Sequence, residues 1–516
     1  MPSDDAGAAI TRFRVLLTAA EAYPALERCF LEAERSISAG FRLFDPATRL
    51  RSAEAREIGV DWFDLVVHTL RRGLYLRLVI SDFDPIGAVD LHRSCWSAHR
   101  RLIAAGELAG AGRLEVISAM HHAEAGLGPR LAFAPVAFGR LRGVVRRVNA
   151  LPPARRAHFA KTAPGLALIT RVQGGRLVHR ARLPRLFPAT HHQKMAVFDE
   201  HRLYIGGLDL NERRYDTPRH RRPPDATWHD VQVIAEGPVV RAAQTHLDGF
   251  LACVAGTEPP APPAAGFLRT LSRRPRNAPF RLAPEPLIAE IEQAHLAGVA
   301  AANRLIYLET QFFRHLPLAR ALARRARACP DLRLILVLPA APEDVAFDDS
   351  AGTDSRFGAF LQTRCLDRLR RAFGPRILVL SPVQPRPGDS EGRDSLRAAP
   401  LVYVHSKVSI FDDCRAIVSS ANLNGRSLRW DTEAGLEFRA AGHVAELRRR
   451  VMGHWLPPDA APADLDPATA FDRWKALADR NSRLPPRDRR GFLVLHDLDP
   501  ARDLGRPVPG LPDEMV

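Results

Sequence analysis

Apolar residues in this chain fall into short runs separated by stretches of helical period. Residues 74–80 and 332–338 are continuous enough to be buried strands, and 195–198 and 408–411 read the same way, each ending at a turn. Ahead of the first run, residues 25–44 predict an amphipathic helix leading into a strand, with Glu34-Arg35-Ser36-Ile37 before Phe41-Arg42-Leu43-Phe44. Residues 288–313 repeat that arrangement, with Asn303-Arg304-Leu305-Ile306 before Tyr307-Leu308-Glu309-Thr310-Gln311-Phe312-Phe313. The pattern predicts an α/β protein in two halves, each a β-sheet flanked by helices.

Composition places the boundaries. Residues 254–279 are rich in Pro, Ala and Arg and read as an extended connector between an N-terminal half at 1–253 and a C-terminal half at 280–457. Residues 458–516 carry several Pro pairs and are expected to form a tail over the surface. The first half is the longer, through an insertion at about 102–190. Between Ala125 and Phe198 there are fourteen Lys or Arg and no Asp or Glu, which reads as a basic rim for an anionic lipid surface or as an Arg-rich solvated face. Aromatics are too sparse there for base stacking, so no nucleic-acid partner is expected.

The net charge of +16 favours anionic partners. Six scattered cysteines lack any paired spacing, which leaves buried free thiols as the plain reading. The first fourteen residues lack the basic and apolar regions of a secretory signal, and no apolar stretch approaches the roughly 18 to 20 residues of a membrane span. A cytoplasmic location with peripheral membrane contact is therefore expected, with export by a route without a cleavable signal as the alternative.

Chemistry enters through the lysines. The chain has four of them against seventy arginines, and two sit in one local pattern. His192-Gln193-Lys194 is followed by Asp199, and His405-Ser406-Lys407 by Asp412, at the same spacing. The trailing segments also run in parallel, Ile205-Gly206-Gly207-Leu208-Asp209-Leu210-Asn211 against Val418-Ser419-Ser420-Ala421-Asn422-Leu423-Asn424, all offset by 213 residues. On a strand, residues two apart share a face, so each His and its Lys point to one pocket, whereas Asp199 and Asp412 have the opposite parity and suit the turn. A neutral imidazole can attack phosphorus while an ammonium stabilises the charge on the non-bridging oxygens. The second His then delivers a proton to the leaving oxygen. Each His needs its other ring nitrogen held, and Asp230, 38 residues after His192, and Glu433, 28 after His405, are candidates.

With Thr190-His191-His192-Gln193-Lys194, Arg214-Tyr215-Asp216-Thr217-Pro218, Trp228-His229-Asp230-Val231 and the duplicated motif, residues 25–455 resemble the phospholipase D superfamily, and within it the longer phosphatidylcholine-type enzymes. The resemblance implies two repeats about a pseudo-twofold sharing one active site. His192, Lys194, Asp199, His405, Lys407 and Asp412 are then catalytic residues, and Lys194, Lys407 and Asn422 bind the phosphate. His192 is implied as nucleophile and His405 as general acid/base, the reverse assignment being left open. No metal or other cofactor is expected, and the chain is expected to be a monomer acting on a phospholipid surface with water or a small alcohol as acceptor. Asp209 departs from the pattern, since many relatives have Asn there. A carboxylate facing a phosphodiester repels it unless paired with an arginine or protonated, so Asp209 is expected to turn away or to support the surroundings of His192. The alternatives are a cardiolipin synthase-like phosphatidyltransferase, a phosphodiesterase or nuclease, and an inactive lipid-binding scaffold. Intact motifs argue against the last.

Overall fold

The computed structural model describes residues 9–180, 182–276, 278–347, 352–388 and 392–515. Two large mixed sheets organise the chain. The first contains β1 (Arg12–Leu17), β2 (Ser36–Phe41), β3 (Tyr75–Ser81), β4 (Arg113–Ala119), β5 (Lys194–Phe198), β6 (Arg202–Gly206) and β7 (Val231–Glu236), in the order β1-β7-β6-β5-β2-β3-β4. The second contains β8 (Phe267–Arg273), β9 (Glu285–Ala289), β10 (Leu305–Thr310), β11 (Arg333–Val337), β12 (Ile377–Pro382), β13 (Lys407–Phe411), β14 (Arg415–Ser419), β15 (Glu433–Phe438) and β16 (Leu493–Leu495). Its order is β9-β8-β15-β14-β13-β10-β11-β12-β16. In each sheet an antiparallel motif strand, β5 or β13, lies beside three parallel strands, β2-β3-β4 or β10-β11-β12.

Side-chain alternation on the motif strands divides the core. Met195 and Val197 pack with Val408 and Ile410 in one hydrophobic cluster that joins the two sheets. The intervening Ala196 and Phe198 face the outer helices of the first half, among Phe30, Trp62 and Leu65. Phe411 does the same in the second half, with Leu322 and Leu366. Each fully buried aliphatic or aromatic side chain contributes about 1.5–3 kcal/mol, so both faces of β5 and β13 fix their register.

Both motif strands end in the same turn. Asp199 and Asp412 adopt positive φ, 52° and 49°. Asp199 accepts hydrogen bonds from the backbone N–H groups of Glu34, Arg35 and Ser36 at 2.8–2.9 Å. Asp412 accepts from Asn303, Arg304 and Leu305 at 2.7–2.9 Å. Each carboxylate thereby pins the start of the neighbouring parallel strand to the end of the motif strand.

Three stretches differ from the expectation drawn from composition. The connector at 254–279 contains β8, which is paired on both sides, and residues 267–272 are all buried. Its flanking prolines and arginines hide the strand pattern. Residues 458–516 contribute β16 to the edge of the second sheet and bury Trp474 completely, so this segment is part of the core as well as the surface. Residues 102–109 and 113–119, counted with the insertion, belong to the helix Val89–Ala109 and to β4. The added material is the group of helices Leu127–Ala132, Ala134–Asn149 and Pro153–Thr162, with a small core around Leu141, Val148 and Phe159. Some of its basic charge is paired inward, since Arg130 and Arg185 reach Glu124 at 3.0 and 2.6 Å. No helix among the described residues is long and apolar enough to cross a membrane.

Candidate active site

β5 runs against β2 so that Lys194 pairs with Phe41, at the carboxyl end of the parallel strands. Lys407 pairs with Thr310 in the same way. The residues just before each motif strand therefore project into the crevice beyond the strand ends, the usual place for a site in an open α/β sheet.

Two reciprocal backbone contacts bring the halves together there. His191 bridges to Thr432, with His192 N–H donating to Thr432 O at 2.8 Å and Thr432 N–H to Thr190 O at 2.9 Å. His229 bridges to Val404, with His405 N–H donating to His229 O at 2.8 Å and His229 N–H to Tyr403 O at 2.8 Å. The lead-in to each motif thus pairs with the lead-in to the other half's last common strand, β15 or β7.

This exchange decides which acid meets which histidine. Glu433 opens β15 beside His192, and its carboxylate oxygens lie 2.9 and 3.1 Å from His192 Nδ1. Asp230 precedes β7 beside His405, with Oδ2 2.6 Å from His405 Nδ1. The sequence order had set each acid after the histidine of its own half; the fold crosses them. In both pairs the outer nitrogen is engaged, which leaves Nε2 facing the crevice.

The crevice is strongly cationic. Burial is the main cause that holds His192 well below the ordinary imidazole value, with Lys194, Arg42, Lys407 and Arg426 adding to it. His405 is lowered likewise by burial, then by Lys407, Arg214, Lys194 and His192. Burial also lowers Lys407, to about 7, against the pull of Asp230. The carboxyls shift the other way: burial raises Asp230 to about 6 and Glu433 to about 8, opposed in each case by nearby lysine charge. Both lysines are buried and donate to the carbonyl of their own motif histidine.

Asp209 does not face the crevice unpaired. Its Oδ1 accepts from Leu43 N–H at 2.9 Å, and its Oδ2 lies 3.8 Å from Arg42 and 3.9 Å from Lys194. In the second half Asn422 donates to Gln311 at 3.2 Å, while its buried Oδ1 has no hydrogen-bond partner among the described residues. Asp199 and Asp412, counted with the motif, lie at the opposite strand ends on their backbone turns and do not join the histidines.

Four residues enter the site that sequence reasoning had not singled out. Arg42 and Arg426 add charge beside His192. Arg214 lies 3.5 Å over the ring of Trp228, which in turn packs at 4.5 Å on His405. Ser420 donates to Oε2 of Glu433. Arg42 had one visible signal, a charge within the apolar run Phe41-Arg42-Leu43-Phe44.

No protein-family model matches the chain. Among curated proteins it is 21% identical over 379 residues to phospholipase D alpha 2 of Arabidopsis thaliana, covering 49% of this chain and 46% of that protein. It is 27% identical over 235 residues to phospholipase D C of Dictyostelium discoideum, covering 38% of this chain and 14% of that one. The aligned stretches span less than half the length of these relatives. Among solved structures, a phosphatidylserine synthase of Haemophilus influenzae aligns over 86% of this chain and 85% of its own, with a TM-score of 0.47 and 11% identity. Two mixed α/β repeats with a duplicated His-Lys pair define the class, and the curated relatives support placing the chain in the phospholipase D superfamily.

Proposed function

We propose that the protein is a phospholipase D that cleaves the distal phosphodiester bond of glycerophospholipids such as phosphatidylcholine. The products are phosphatidic acid and the free headgroup, and a small alcohol can replace water as acceptor. The observation that carries this reading is the crossed pair of His–carboxylate couples within a ring of lysine and arginine. The distant phospholipase D relatives support the coarser statement, a phosphodiesterase or phosphatidyltransferase.

In the proposed reaction, Nε2 of neutral His192 attacks phosphorus, and the bond from phosphorus to the headgroup oxygen breaks. Lys194, Lys407 and Asn422 bind the non-bridging oxygens, whose charge grows as the fifth bond forms. Glu433 accepts the Nδ1–H of His192 and stabilises the positive imidazole of the phosphohistidine. The bound phosphodiester offsets the surrounding cations, so His405 gains affinity for a proton and passes it from Nε2 to the departing alkoxide. His405 then takes a proton from water or an alcohol, that oxygen attacks phosphorus, and the N–P bond breaks to restore His192.

The test is an incubation with phosphatidylcholine vesicles and a short primary alcohol, measuring choline and phosphatidyl-alcohol. Both products from the wild type, and neither from His192→Ala, are expected. Choline release by folded His192→Ala at the wild-type rate would overturn the mechanism.

A further inference from the structure

Below His405, three imidazoles converge. His220, His229 and His454 each place one ring nitrogen within 4.8 Å of the other two. They come from distant parts of the chain: the loop after Arg214-Tyr215-Asp216-Thr217-Pro218, the lead-in to β7, and the last turn of the helix Ala441–Trp455.

One of the three tautomers is set from outside the cluster. Asp216 Oδ2 lies 2.7 Å from His220 Nδ1, so Nδ1 carries the proton and Nε2 offers a lone pair. Glu309 Oε1 lies 3.1 Å from His229 Nε2. Both ring nitrogens of His229 are buried and neither has a hydrogen-bond partner among the described residues, so its lone pair is unsatisfied whichever nitrogen carries the proton. His454 Nε2 stands 2.9 Å from His220 Nε2. The one proton His454 can supply there satisfies one of the two lone pairs. A cation bound by three nitrogens satisfies every group.

We propose that His220, His229 and His454 form a structural site for a divalent transition-metal ion of the zinc class. Nitrogen donors alone suit zinc and cobalt and disfavour calcium and magnesium, which take oxygen. Ligand nitrogens about 2.0–2.1 Å from a tetrahedral zinc stand roughly 3.3 Å apart, so the His220–His454 pair opens slightly. His229, stacked at 4.5 Å on His454, turns to bring Nδ1 to the ion. His454 is half-buried, which lets water take the fourth position.

The ion ties a loop of the first half to the last helix of the second. It also fixes the backbone of His229, whose carbonyl accepts from the N–H groups of both His405 and Ser406. The site therefore supports the crossed contact that carries one active-site histidine, whatever the substrate.

The full chain, stripped with a chelator, is titrated with Co²⁺ and then Zn²⁺. Expected are one Co²⁺ per chain with visible d–d bands, displacement of those bands by Zn²⁺, and a rise in Tm of roughly 5 °C at saturation. His454→Gln is expected to lose the bands and the shift, while His201→Gln, exposed and remote, keeps both. Absence of Co²⁺ and Zn²⁺ binding by the stripped wild type, or bands retained by folded His454→Gln, would overturn the proposal. Should His454→Gln not fold, X-ray absorption of the zinc-loaded wild type decides: three imidazole ligands support the site, and a sulfur ligand or fewer imidazoles sinks it.

Discussion

Glu433 controls His192 from across the molecule, and its raised carboxyl gives that control a pH signature. Only the ionised form carries the negative charge that balances the developing phosphohistidine. With its value pushed up to about 8, kcat is expected to climb from pH 6, reach half its maximum near pH 8 and level off above about pH 9. Glu433→Gln cannot ionise, so its kcat should be lower by about 10²- to 10⁴-fold, on the scale of replacing a triad carboxylate, and flat across the same window. A mutant profile that still rises through pH 8 would assign the limb to another group. His192→Ala and His405→Ala should each abolish phosphatidyl-alcohol formation while leaving circular dichroism unchanged. The motif residues were legible in the sequence because their spacing is local and written twice. The partnership of Glu433 with His192 was not, because it is set by a backbone contact between residues 241 apart. Arg42 and Arg214 were hidden by their company, two among seventy arginines.

The turns after β5 and β13 show what the third motif residue does. Asp199 sits in the left-handed region and gathers three backbone N–H groups at the start of β2, far from the crevice. Its removal leaves those donors to solvent, so Asp199→Ala is expected to lower stability by about 2 kcal/mol in urea unfolding, with KM unchanged and kcat within threefold. A thousandfold loss of kcat at unchanged stability would return Asp199 to the catalytic group. The parity of side chains along the strand had already separated this aspartate from the His-Lys face. The run pattern also exposed the buried strands 195–198 and 408–411, in which Ser409 is the one polar residue. It failed at β8 and β16, where neighbouring prolines and arginines mask short strands whose partners lie far along the chain.

Across the whole molecule, buried histidines set the response to acid. Burial lowers His121 and His246 to about 3, and His295 and His496 to about 4. Each stays neutral in the folded chain while its unfolded counterpart takes a proton near pH 6.5, so stability is lost as pH falls through that value. The loss at pH 5 is about 2 kcal/mol per histidine at most. Asp230 and Glu433, with raised carboxyls, act in the opposite sense, and their contribution fades as pH rises toward 6 and 8. The histidines outnumber them, and the urea midpoint is expected to be lower at pH 5 than at pH 7.5. An equal or higher midpoint at pH 5 would mean that these imidazoles are protonated in the folded state. The two-half architecture was legible from the repeated apolar pattern. The way the halves lend each other backbone and side chains was not, because no local pattern encodes it.

That lending has a consequence for inheritance. A duplication ordinarily leaves a spare copy, free to decay or to acquire a new task while the other keeps the old one. Here there is no spare. Glu433 serves His192 and Asp230 serves His405, so a lesion in either copy silences a histidine belonging to the other. The two repeats can drift apart in their loops and edges, but at these four positions selection sees one unit.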